Sequence, residues 1–135
     1  MTSLLSEYVF GDICVQYRMD DQTKMVGLQL LPNGMQEKVQ PKHQAVDPIM
    51  QVMIRGDGFP DGFANGHTMR NNASMRRFAF AGQEKQESAN SSRIITKLKT
   101  EDGHQLTQQL DYISGEKGLH LQTTYTNGSD APAII

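Results

Sequence analysis

Asp57 and Asp61 stand in the segment Arg55–Arg77, RGDGFPDGFANGHTMRNNASMRR, a polar, glycine-rich island in a chain otherwise built of short apolar runs. Paired carboxylates are what glycoside hydrolysis needs, one as acid/base and the other as nucleophile or base. Each aspartate also precedes a glycine, in Asp57-Gly58 and Asp61-Gly62. Aspartate bonds its own backbone and glycine accepts positive φ, so the turn reading is the stronger one. Asp57, Asp61 and Asn65 could offer hard oxygens to calcium, but they lack the alternating ligands and closing glutamate of an EF-hand loop. Arg70 lies among Asn65, His67, Asn71 and Asn72. Guanidinium and amide groups each present two donors in fixed geometry, which suits the paired hydroxyls of a pyranose. The competing reading is a surface loop pinned by its own arginine. Phe59, Phe63 and Phe78 are the aromatic rings on which a sugar could rest, in a chain without tryptophan.

Other chemistries find no foothold. Neither G-x-x-x-x-G-K-[ST] nor G-x-G-x-x-G between a strand and a helix occurs, and no serine has the G-x-S-x-G context of a nucleophile elbow. His43, His67, His104 and His120 are scattered, and a single cysteine, Cys14, cannot build a cysteine-based zinc site. His104 follows a turn and His120 alternates outward from a strand, so both are expected to be solvated. No cofactor and no metal are expected.

The elements that must hold such a loop are short strands. Ile13, Val15 and Tyr17 alternate with Cys14, Gln16 and Arg18, and Val26, Leu28 and Leu30 alternate with Gly27 and Gln29, the period-2 signature of half-buried strands. The same pattern is read through Met50, Val52 and Ile54, through Phe78 and Phe80, and through Ile94, Thr96 and Leu98 against Lys97 and Lys99. It continues through Leu106, Leu110 and Tyr112, and closes with Leu119, Leu121 and Tyr125 against His120, Gln122 and Thr124. Asp102-Gly103 suits a tight hairpin, and Pro32-Asn33-Gly34, Ser114-Gly115 and Asn127-Gly128 punctuate the chain similarly. No window sustains a helical apolar face over three turns. The expected fold is all-β, an antiparallel sandwich.

The 135 residues suffice for one domain, and 37% hydrophobic with 21% charged residues is ordinary globular material. A formal net charge of -2 lacks the electrostatic footprint of a nucleic-acid binder, with Arg70, Arg76 and Arg77 forming only a local patch. No apolar run approaches a membrane span, and Glu7 breaks the apolar core a signal peptide would need. Cys14 is expected to be a buried, inert thiol, and a reducing cytoplasm is the expected compartment. Ala131-Pro132-Ala133-Ile134-Ile135 reads as a turn and the start of an apolar strand, hence the expectation of a piece of a longer protein.

Two separated stretches carry a family resemblance. Asn65-Gly66-His67-Thr68-Met69-Arg70-Asn71, followed by Ser74 and Phe80-Ala81-Gly82-Gln83-Glu84, resembles the N-terminal region of family 36 glycoside hydrolases, the bacterial α-galactosidases that act on raffinose and melibiose. Leu110 to Leu119 and then Tyr125 to Pro132 are similar to a later part of the same region, and Gly56-Asp57 also fits. The resemblance runs over residues 7–135.

That resemblance implies a β-supersandwich of the galactose-mutarotase-like type, a partial domain in which residues 1–135 form the N-terminal half. It also implies that a catalytic (β/α)8 barrel, carrying the catalytic aspartates, belongs elsewhere in the enzyme. The chain itself is then noncatalytic, a homo-oligomer contact whose loop reaches the rim of an α-galactoside pocket. Asp57, Asp61, Asn65, His67, Arg70 and Asn71 are the candidate rim residues. The alternatives are a self-contained carbohydrate-binding module, a purely structural interaction domain and a small mutarotase-like enzyme. The last would need a glutamate base beside His67, and none lies in the loop.

Overall fold

A computed structural model of the chain describes residues 2–38, 47–58 and 72–135. Two antiparallel sheets make up the fold. β1 (Thr2–Phe10), β2 (Ile13–Asp20) and β3 (Val26–Pro32) form one in sequence order. The short helix α1 (Ala73–Arg77) leads into β4 (Ala79–Glu87), β5 (Ser91–Lys99), β6 (His104–Ile113) and β7 (His120–Asn127), which form the other, also in sequence order. The all-β sandwich is therefore the observed fold class.

The alternation in the sequence sets which faces meet. Along β5, Ile94, Thr96 and Leu98 are buried while Arg93, Lys97 and Lys99 point outward. Along β6, His104, Leu106, Gln108 and Leu110 take the buried positions. From the first sheet Phe10, Val15, Tyr17 and Val26 pack against them, with Val52, Met75 and Phe78 closing the core from the connecting segments. Burial of these side chains away from water is the main favourable term in holding the sheets together. Phe78 is 1% exposed and is a core residue, not a platform for a sugar. Cys14 is buried, as expected, and desolvation, followed by the charge of Glu7, pushes its thiol pKa up.

A polar strap also crosses between the sheets. The Ser6 hydroxyl donates to Gln83 Oε1 at 2.6 Å, Tyr8 donates to the same oxygen at 3.3 Å, and Gln83 Nε2 donates to Thr96 Oγ1 at 2.8 Å. Tyr17 lies fully buried beside this strap, its hydroxyl without a hydrogen bond in ordinary geometry among the described residues. Burial pushes its phenol up to about 12. A folded-state pKa above the unfolded value near 10 means that stability is intact below pH 10 and is lost as pH rises toward 12. The full loss amounts to roughly 3 kcal/mol, for a rise of about two units at about 1.4 kcal/mol each. Urea melts in this window should show it, and Tyr17→Phe, which removes an unpartnered hydroxyl, should abolish that alkaline loss at little cost near neutrality.

The structure departs from the strand reading in several places. Met50, Val52 and Ile54 do not form a strand; Val52 is buried, but its N–H donates to Met75 Sδ at 3.1 Å and that of Ile54 to Asp57 at 2.9 Å, so side chains take the donors a ladder would use. β1 was not legible as a strand because a bulge between Leu4 and Ser6 breaks its alternation. β7 forms as read, yet as an edge strand it leaves Leu121 50% exposed. Residues 131–135 form no strand, although the Ile134 carbonyl accepts the Arg55 N–H at 2.8 Å.

Candidate binding site

The glycine-rich segment is anchored at both ends on the sandwich. Asp57 N–H donates to the Ile54 carbonyl at 2.9 Å, closing a turn, and Asp57 Oδ2 accepts the Ile54 N–H in return. Its other oxygen accepts the hydroxyl of Ser74, which is fully buried on α1, at 2.7 Å. One residue on, the Gly58 carbonyl accepts the Ala73 N–H at 3.0 Å. The outgoing and returning chains are thus tied to each other at their roots. Asn72 begins α1 as its N-cap, Oδ1 accepting the Met75 N–H at 2.8 Å, and it is 1% exposed. Its Oδ1 is therefore committed to capping the helix.

Of the six candidate site residues, Asp57 lies in the described structure, and both of its carboxylate oxygens hold protein donors. Asp61, Asn65, His67, Arg70 and Asn71 lie outside the described residues, as do Phe59 and Phe63.

Beside the loop root is a polar cluster that sequence reasoning missed. His104 is 6% exposed, contrary to the solvated position expected for it. Its Nδ1 lies 2.6 Å from the Tyr125 hydroxyl and its Nε2 3.4 Å from Asp102 Oδ2. Asp102 Oδ2 also accepts from Arg77 at 3.1 Å, and Oδ1 from the Thr100 hydroxyl. These bonds, Thr100 first and Arg77 next among those that lower it, hold the Asp102 carboxyl below the usual carboxylate range. The ring's hydrogen bond is to Tyr125, whose role as donor or acceptor follows the tautomer, while Asp102 lies within ion-pair distance of the other nitrogen. The signal was available: His104 shares the inward phase of Leu106 and Leu110. His120, by contrast, is exposed as expected, 2.9 Å from Glu116.

A cleft of about 520 Å³ opens against this cluster, lined by Ile54, Asp102, His104, Ser129 and Pro132 among others. Ile54 belongs to the outgoing root of the loop and Arg77, bonded to Asp102, to the returning one. Both roots of the segment therefore meet the β5–β6 turn, Ile54 across the cleft and Arg77 through Asp102. The cluster gathers Tyr125, Asp102, Arg77 and Thr100 about one buried imidazole, which is itself hydrogen-bonded to Tyr125. Among the described residues no group of three histidine, cysteine, aspartate or glutamate side chains is arranged to hold a metal ion. No described helix is long and apolar enough to cross a membrane.

In comparisons with protein-family models, with curated proteins and with solved structures, the chain matches none.

Proposed function

We propose that this chain is a noncatalytic β-sandwich domain of a cytoplasmic family 36 α-galactosidase, one that supports oligomer contacts and carries a loop to the rim of the substrate pocket. The observation that supports it best is the closure of the loop root, in which Asp57 and Gly58 are bonded to Ser74 and Ala73. A segment rich in sugar-binding donors and fixed at its base to two packed sheets can present those donors at low ordering cost. Asp61, Asn65, His67, Arg70 and Asn71 are the rim contacts in this reading, and Asp57 is the anchor. A sugar hydroxyl would have to compete with Ile54 and Ser74 for its oxygens. Among the described parts of the resemblance, Phe80–Glu84 lies in β4, Leu110–Ile113 in β6 and Tyr125–Asn127 in β7, strands of one sheet.

The reading predicts no release of galactose from melibiose or raffinose by the isolated chain, and no measurable heat on titrating it with galactose. Millimolar or tighter binding by the chain alone would favour a self-contained carbohydrate-binding module, and hydrolysis would overturn the noncatalytic assignment. In a polypeptide carrying both this domain and its barrel, Arg70→Ala should raise the KM for raffinose by about tenfold, the cost of one charged hydrogen bond, with kcat nearly unchanged. An unchanged KM removes Arg70 from the rim.

A further inference from the structure

Three of the four sheet edges carry features that oppose the addition of another strand. β1 has its bulge at Leu4/Ser6 and carries Glu7. β3 ends in Pro32, and its Val26 carbonyl accepts the Ile49 N–H at 2.9 Å. β4 has a bulge between Phe80 and Gly82 and carries exposed Glu84, Lys85 and Glu87. β7 has none of these. It pairs with β6 in unbroken register from His120 to Asn127 and contains no proline, glycine, lysine, arginine, aspartate or glutamate. Among the described residues its backbone pairs with β6 alone. Leu121 stands opposite the fully buried Leu110 on the inward face and is nevertheless 50% exposed.

We propose that β7 is the pairing edge of a symmetric dimer, in which two copies join β7 to β7 antiparallel and make one continuous sheet from two four-stranded halves. A second copy is the occupant the strand fits, because a two-fold axis sets the strand against its own sequence and the residue on the axis against itself. An edge with Lys or Glu would meet like charge there, and β7 presents none. Keeping the inward faces of both copies on one side requires residues of the same phase to stand opposite each other. Centring the axis on Thr123 sets Leu121 against Tyr125 of the second copy, twice by symmetry, and Gln122 against Thr124. A centre at Thr124 would set Leu121 against Asn127, so Thr123 is the axis. The added strand covers Leu121 and satisfies the outward backbone groups of β7. Register, exposure and charge carry this dimer whether or not the chain belongs to a galactosidase.

Residues directly opposed in an antiparallel pair have Cα atoms about 4.5–5.5 Å apart, within disulfide reach. Thr123→Cys should therefore give a disulfide-linked dimer on mild oxidation, while Ser3→Cys on β1 should not, and the buried Cys14 stays unlinked in both. Sedimentation of the native chain at high micromolar concentration should show a dimer, and Thr123→Lys should be monomeric with an unchanged β-rich spectrum. A monomeric native chain, a dimer that survives Thr123→Lys, or a Thr123→Cys variant that links no faster than Ser3→Cys would each overturn the proposal. The cysteine result decides the matter if the lysine variant does not fold.

Discussion

Gly103→Ala is expected to lower the melting temperature by about 12 °C, corresponding to roughly 3 kcal/mol at ~4 °C per kcal/mol for a chain of this size. Two costs add at this position. Gly103 has φ +101, where a side chain is strained, and a Cβ built on it would lie 2.8 Å from the Gly128 carbonyl oxygen and 3.0 Å from its carbon. The first costs about 1 kcal/mol. The second forces apart two backbones that nothing flexible can relieve, at about 2 kcal/mol. The contact is built in: Gly128 N–H donates to the Gly103 carbonyl at 3.1 Å, fastening the end of β7 to the β5–β6 turn beside His104. Other glycines separate the two terms. Gly34→Ala, at φ +92 in open space, should show the strain alone. Gly128→Ala, whose Cβ would meet the Gly103 oxygen at 2.6 Å, should show the clash alone, and Gly118→Ala should be silent. Thermal melts of the four variants measure the series. Equal effects at Gly103 and Gly34 would mean that the hairpins separate without cost. Because Gly103 and Gly128 share one contact, the double alanine variant should destabilise by less than the sum.

Asp57→Ala should destabilise by about 2–3 kcal/mol, since it strands the Ile54 N–H and the buried Ser74 hydroxyl together, each worth about 1 kcal/mol or more when left unpaired. Asp57→Asn should recover most of this. Its amide oxygen can accept from Ile54 while its NH2 donates to the Ser74 oxygen. Denaturant unfolding of both variants tests the anchoring role. If Asp57→Ala were as stable as the native chain, the loop root would not depend on the carboxylate, and Asp57 would return to the list of side chains available to a ligand. Sugar binding measured on Asp57→Asn keeps the two roles distinct, because the fold is retained while the charge is lost.

Residues with a strict period of two were the legible part of this protein. Ile94, Thr96 and Leu98 in β5, and Leu106 and Leu110 in β6, announce strands and their inward faces, because an interior strand buries every second side chain whatever lies around it. Asp102-Gly103 likewise announces its hairpin, since only glycine readily takes the φ found there. All-β architecture and low helix content follow from such local rules. Long-range packing decided the rest. Val52 shares the alternation of a strand but gives its N–H to Met75, a partner far along the chain. Leu121 keeps the phase of a core residue and lies half open on an edge strand. Asp57 looks from the sequence like a free carboxylate in a turn, and only the return of α1 brings Ser74 against it. His104 looks like a solvated residue after a turn, and only β7 brings Tyr125 to its ring. Local periodicity specifies which face a side chain takes; what that face meets depends on which segments fold against it, and that contact is non-local.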